Sequence, residues 1–186
     1  MSMAHTTWDE AAVLLRAGKV GIIPTDTVYG LVGSALLPEV VERMYTIKQH
    51  RDKKPYIVLI SSFDALREFN IQLSPRILAP FSENTETPTS IILPCQNPAY
   101  AYLHRGTESI AFRIPNHVTL KTLLEQTGPL VAPSANPSGL PTAKTVTEAR
   151  EYFGDTVDFY VDGGTLDNPP SRLLRLREDG STEVLR

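Results

Sequence analysis

A chain of 186 residues, 41% of them hydrophobic, is long enough to bury one substantial core and short for two, so a single domain over residues 1–186 is expected. A formal net charge of -3 excludes a positively charged coat for general nucleic-acid binding, so any anion site must be local. One cysteine excludes an internal disulfide, and no apolar run of about 18 or more residues offers a membrane span, so a soluble protein of the reducing cytoplasm is expected.

Thr7 and Glu10 form a capping-box pattern, and Ala11 to Leu15 ahead of Gly18 predict a helix with a left-handed stop. Val20 to Ile23 reads as a buried strand stopped by Pro24, which has no N–H to continue a ladder. Thr25, Asp26, Thr27, Tyr29 and Gly30 then gather hydroxyls, a carboxylate and a phenol at a strand tip. Ligands often bind at such tips in α/β proteins, although a Thr/Asp turn satisfying its own backbone has the same composition. Pro38 opens a helix in which Val40, Val41, Met44, Tyr45 and Ile47 recur at helical spacing, completing a βα unit.

The next segment, KQHRDKKP from Lys48 to Pro55, holds the densest positive charge in the chain: Lys48, Arg51, Lys53 and Lys54, with only Asp52 opposing. A lysine cluster is commonly a solvated loop. Here it is anchored by a helix before it and by a predicted strand, Tyr56 to Ile60, after it, which favours a polyanion site.

A short helix follows from Ser61 or Ser62 through Phe69, and Ser74-Pro75 opens another toward Phe81. Ser82 to Pro88 is polar, without apolar anchors, and is expected to be a mobile loop. Thr89 to Leu93 and Ser109 to Ile114 read as strands, whereas Ala99 to His104 is ambiguous. Arg113 lies inside the second strand, so an acidic side chain or a ligand must answer its guanidinium. Cys95 beside Pro94 reads as a passively packed thiol.

Asn116 is placed to cap a helix from Val118 to Thr127, closed by Gly128-Pro129. Leu130 to Ala132 then forms a strand with the tip Pro133-Ser134-Ala135-Asn136-Pro137-Ser138-Gly139. That tip is either a plain turn or a rigid set of hydroxyl, amide and N–H donors suited to a phosphate. Thr145 and Glu148 suggest a second capping box for a helix through Phe153, and Phe159 to Val161 is a strand ending in Asp162-Gly163-Gly164. Ser171 to Leu176 and Thr182 to Leu185 read as a hairpin around Asp179-Gly180. No Walker loop, GxGxxG, GxSxG, HExxH or CxxC occurs, and no two His have a zinc-ligand spacing, so a nucleotide site would be assembled from separate loops and no metal site is expected.

Three ordered motifs, PTDTVYGL at Pro24 to Leu31, IKxxRxxKP at Ile47 to Pro55 and PSANPSG at Pro133 to Gly139, together resemble the YrdC/TsaC family of threonylcarbamoyl-AMP synthases. Arg113-Ile114-Pro115, Asp162-Gly163-Gly164 and Val184-Leu185-Arg186 support the resemblance, which runs from Gly21 to Arg186. It implies an α/β fold of the single-domain YrdC-like type: a twisted, open, mixed sheet with flanking helices and a large positively charged cavity. It also implies a reaction in which L-threonine, bicarbonate (or CO2) and ATP give threonylcarbamoyl-AMP and pyrophosphate. A downstream transferase complex would then modify tRNA, and contact with tRNA or other RNA is a further implication.

By matching positions, the resemblance makes Lys48, Arg51, Ser134 and Asn136 the catalytic set, stabilising phosphate and carbamate oxygens. Lys54, Ser109, Thr142 and Arg186 become further ATP contacts, and Thr27, Arg113 and Ser171 the threonine pocket. Mg²⁺ is expected to accompany ATP without a dedicated protein cage. The family's KxR pattern meets His50 at the arginine position, with Arg51 one residue later; its PGPLT becomes Glu86-Thr87-Pro88-Thr89-Ser90, and its STV becomes Ser171-Arg172-Leu173. A YciO-type paralogue with different or hydrolytic chemistry and a noncatalytic RNA-binding module are the alternatives.

Overall fold

Adjacent residues in a strand point to opposite faces, and a strand apolar at every position therefore needs cover on both sides. The first strand, β1 (Gly21–Pro24), is buried at all four positions. Ile22 joins one apolar cluster and Ile23 another. The same division separates Leu31 from Val32, Val58 from Leu59 and Val131 from Leu130, so the sheet has a core on each face. This computed structural model describes residues 6–49, 54–74, 87–177 and 181–186. His50, Arg51, the expected helix from Pro75, most of the Ser82 to Pro88 loop and the Asp179-Gly180 turn lie outside the described residues.

The remaining strands are β2 (Tyr29–Ser34), β3 (Ile57–Leu59), β4 (Thr89–Pro94), β5 (Ser109–Arg113), β6 (Leu130–Val131), β7 (Phe159–Tyr160), β8 (Arg172–Leu176) and β9 (Thr182–Val184). They form one nine-stranded mixed sheet in the order β7-β1-β2-β6-β3-β5-β4-β8-β9. β1 with β7, β3 with β5 and β4 with β8 run parallel; the other neighbours run antiparallel. Helices α1 (Trp8–Arg16) and α4 (Val118–Thr127) cover one face through Ala11, Ala12, Leu15, Leu120, Leu123 and Leu124. Helices α2 (Pro38–Ile47) and α5 (Val146–Phe153) join the cluster on the other. The open mixed α/β sheet with flanking helices is the architecture expected.

The capping box at Thr7 is complete: Glu10 N donates to Thr7 Oγ1, and the Glu10 carboxylate accepts from Thr7 N at 2.8 Å. At α5 only half of the expected box forms. Glu148 N donates to Thr145 Oγ1, but the Glu148 carboxylate accepts from Lys144 N instead of Thr145 N. The cap of α4 is His117, whose Nδ1 accepts from Leu120 N; Asn116 instead donates its N–H to Asp26 Oδ2 at 3.0 Å.

One further expectation is corrected. β1 does not lead straight into a βα unit but turns back as a hairpin with β2, pairing Ile22 with Leu31 and Pro24 with Tyr29. Gly30 and Gly33 concealed that strand because glycine lacks a side chain for a strand to pack, and Gly33 is there for closeness. A Cβ on Gly33 would sit 2.6 Å from Val40 Cγ1, so α2 packs directly on the β2 backbone. Phe63–Phe69 forms a 3₁₀ helix, and the ambiguous Ala99 to His104 resolves as a 3₁₀ turn, Pro98–Tyr100, leading into α3 (Ala101–His104).

Candidate active site

The β1–β2 hairpin folds its polar loop inward. Thr25 Oγ1 accepts from Thr27 N at 3.1 Å and Val28 N at 3.2 Å, and donates to Val28 O at 2.7 Å. These bonds are ordinary turn chemistry. They also leave Thr27, which is buried, with its hydroxyl accepting from Arg113 Nη1 at 3.1 Å. Arg113 is answered by an acid as well: Nη2 lies 3.2 Å from Asp26 Oδ1, and both side chains are almost wholly buried. Burial lowers the Arg113 pKa, while the Asp26 charge opposes that shift. Its Nε finds no hydrogen-bond acceptor among the described residues, so the guanidinium retains donor capacity beside a cavity.

The Ser134 tip is brought to this hairpin by strand pairing. Beyond β6 the chain continues antiparallel to β2, with Leu31 N donating to Pro133 O at 2.9 Å and Ala135 N to Tyr29 O at 2.8 Å. Lys48, at the end of α2, is tied to the same segment twice. Ser138 N donates to Lys48 O at 3.1 Å, and Lys48 Nζ donates to Ser134 O at 2.5 Å and Asn136 Oδ1 at 3.4 Å. Ser134 Oγ donates to Asn136 Oδ1 at 2.6 Å, and Asn136 Nδ2 to Leu140 O at 2.7 Å, which fixes the amide's orientation. Lys48 is 3% exposed, and burial pulls its pKa down to about 8. No carboxylate pairs with it among the described residues.

These pieces line one cavity of about 550 Å³. Its walls include Thr27, Lys48, Lys54, Arg113, Ser134, Thr142, Ser171 and Arg186, all named from sequence. Asn136 stands behind that wall, bonded to Ser134 and Lys48. Ser109 is not brought there: it begins β5 at the end opposite Arg113, pairs with Pro94, and its hydroxyl meets Thr107. Arg51 lies outside the described residues. Ser171 is buried; its hydroxyl bonds Ser90 Oγ at 2.9 Å, and its carbonyl accepts from Arg186 Nε at 3.2 Å and Nη2 at 3.0 Å.

Sequence reading missed the wall between Asp162 and Pro170. Tyr29, fully buried, holds it: its OH donates to Gly164 O at 2.8 Å and accepts from Gly163 N at 2.8 Å. A Cβ on Gly163 would lie 2.5 Å from Pro24 Cβ, so glycine permits this approach. Farther along, Leu166 N donates to Lys144 O and Lys144 Nζ meets Asp167 at 2.8 Å. The combination of Tyr29 in the first motif and two glycines in Asp162-Gly163-Gly164 was the available signal. Cys95 is buried, and burial raises its thiol pKa, in keeping with a packed residue.

The geometry thus places Lys48, without a carboxylate partner among the described residues, the Thr27 hydroxyl and the Arg113 guanidinium around a nucleotide-sized space. A family model for Sua5, YciO and YrdC proteins, described as telomere recombination, matches residues 13–186. The chain belongs to the Sua5/YciO/YrdC family. It is 33% identical over 161 residues to a threonylcarbamoyl-AMP synthase of Marinobacter nauticus, covering 85% of each protein. It is 30% identical over 155 residues to the threonylcarbamoyl-AMP synthase of Pyrococcus abyssi, covering 83% of this chain and 46% of that one. The crystal structure of P. abyssi Sua5 complexed with L-threonine superposes with a TM-score of 0.86 at 30% identity, covering 96% of this chain and 53% of that one. The chain therefore spans about half the length of these Pyrococcus relatives and most of the Marinobacter one. The family and the enzyme class expected from the three motifs agree with these relatives.

Proposed function

We propose that this chain makes threonylcarbamoyl-AMP and pyrophosphate from L-threonine, bicarbonate or CO2, and ATP, for later transfer to tRNA in the cytoplasm. The observation carrying this reading is that the Thr27–Arg113 pair and the Lys48–Ser134 pair open onto one cavity. Arg113 suits a carboxylate, because a guanidinium offers a planar fork of donors. Threonine's α-carboxylate held there would orient its amine toward the Lys48 end. The amine nitrogen bonds to CO2 carbon and loses a proton, giving a carbamate. A carbamate oxygen then attacks the α-phosphorus as the bond to pyrophosphate breaks. No protein nucleophile is required; positioning and charge stabilisation do the catalysis.

Lys48 is suited to the developing phosphate charge because burial spares it from water, and at neutral pH a group with a pKa of about 8 is still mostly protonated. Ser134 presents its hydroxyl to the cavity, and Asn136 behind it would hold that hydroxyl and Lys48 in place for the phosphate and carbamate oxygens. Lys54, Thr142 and Arg186 line the path that a triphosphate would occupy, and Arg51 is assigned to it by motif alone. Ser171 and Thr27 would bound the threonine side chain. Among the described residues no three His, Cys, Asp or Glu side chains form a cation cage, so Mg²⁺ would enter bound to the triphosphate. No helix among the described residues is long and apolar enough to cross a membrane.

Pyrophosphate release assayed with each substrate omitted in turn tests the proposal. Turnover should need threonine, bicarbonate and ATP together. Phosphate release from ATP without threonine would favour hydrolytic YciO-like chemistry, and salt-sensitive RNA binding without turnover would favour an RNA-binding module.

A further inference from the structure

Arg105 occupies a costly position. Its backbone is left-handed at φ 52°, a region that non-glycine residues seldom adopt. Its side chain is 12% exposed and meets the Glu42 carboxylate at 2.7 Å, while Nε and Nη2 find no hydrogen-bond acceptor among the described residues. The guanidinium instead lies over the Tyr45 ring, 3.9 Å from its centroid. Burial works against the charge, and Glu42 and Tyr45 more than offset it, so the Arg105 pKa is raised.

On its other side Tyr45 stacks on Tyr56, with centroids 4.1 Å apart and planes 13° from parallel. Tyr45 OH also donates to Lys54 O at 2.8 Å. Tyr45 lies on the last turn of α2, one turn before Lys48, and Tyr56 leads into β3 directly after Pro55. The Arg105–Tyr45–Tyr56 column therefore grips both ends of the stretch joining Lys48 to Lys54. Neither Arg105 nor Tyr45 lines the cavity, whereas Lys48, Lys54 and Tyr56 do.

We propose that Arg105 and Tyr45 are positioning residues that clamp the two ends of the basic segment and so set the spacing of Lys48 and Lys54 for the nucleotide's phosphates. This rests on the reading above that those lysines meet ATP. A column that served only to stabilise the fold would not need a buried cation with two donor nitrogens lacking acceptors, since an apolar side chain would fill the place more cheaply.

The test is calorimetric titration with ATP of the wild-type chain and of Arg105→Met, Arg105→Lys and Tyr45→Phe, with steady-state kinetics and thermal melts on each. Arg105→Met should weaken the ATP Kd roughly tenfold, a change of about 1.4 kcal/mol. The KM for threonine should stay within about twofold, because the Thr27–Arg113 end is untouched. Arg105→Lys, which restores a cation over the ring, should recover most of the affinity. Tyr45→Phe keeps the stack and removes the hydroxyl that bonds Lys54 O, so it keeps the question answerable if Arg105→Met does not fold; about threefold weaker ATP binding is expected. An ATP Kd unchanged in Arg105→Met or Tyr45→Phe, or equal weakening of ATP and threonine alongside a lower melting temperature, overturns the clamp. Wild-type chain that binds no ATP would instead overturn the functional reading, and the clamp with it.

Discussion

At the scale of single residues, Lys48 and Arg113 are charges buried in the cavity wall. Lys48 titrates at about 8 in the fold against an ordinary 10.5. Between those values the unfolded chain holds a proton that the native chain has released, so this group's contribution to stability improves as pH rises from about 8 to 10.5. Below that window the penalty is complete. Lys48→Met is expected to raise stability at pH 7 by about 1 kcal/mol, after the lost bonds to Ser134 and Asn136 are allowed for, and to flatten the rise through the alkaline window. Urea titrations over that range check both. The same variant should lower ATP-dependent turnover about 100-fold or more, because in the proposed reaction the lost charge would face phosphate. Asp26→Ala acts in the opposite sense on stability. It leaves the Arg113 guanidinium buried without its acid, and a loss of about 3 kcal/mol in urea unfolding, with a raised KM for threonine, is expected.

At the scale of elements, the cavity depends on how closely α2 lies on β2 and how tightly Tyr29 holds the far wall. Gly33→Ala would force Val40 and Met44 away from β2 and carry Lys48 with them. About 2 kcal/mol of lost stability and weaker ATP binding are expected, read by urea unfolding and titration. Tyr29→Phe removes the bonds to Gly163 and Gly164 and should cost about 1–2 kcal/mol. Much of this scale was legible in the chain. The Thr7 capping box, the apolar face of α2 and the alternation through β5 are local patterns, and local patterns survive folding. β2 was not legible, because two glycines dilute its strand signal and its reason for existing lies in α2, across the sheet. Ser109 was misplaced for a related cause. A motif gives a residue's order along the chain, whereas β5 points one end at the cavity and the other away. Arg113 was read as needing either an acid or a ligand, and the structure gives it Asp26 while leaving it on the cavity wall.

At the scale of the whole molecule, the sheet order interleaves the chain: β7 lies beside β1, and β8 beside β4. The cavity draws on residues from Thr25 to Arg186, so it exists only when distant segments have closed together. We expect one cooperative unfolding transition, with near- and far-ultraviolet circular dichroism losing signal at the same urea concentration. Two separated transitions would contradict a single unit over residues 1–186. Loop closures of this length also predict slow folding relative to helical proteins of equal size.

Arg186 is held against the cavity by its side-chain bonds to Ser171 O and by Leu173 N donating to Arg186 O at 3.0 Å. The β8–β9 edge of the sheet and the cavity wall at Ser171 are thereby fastened together, so loosening β9 would also release Ser171.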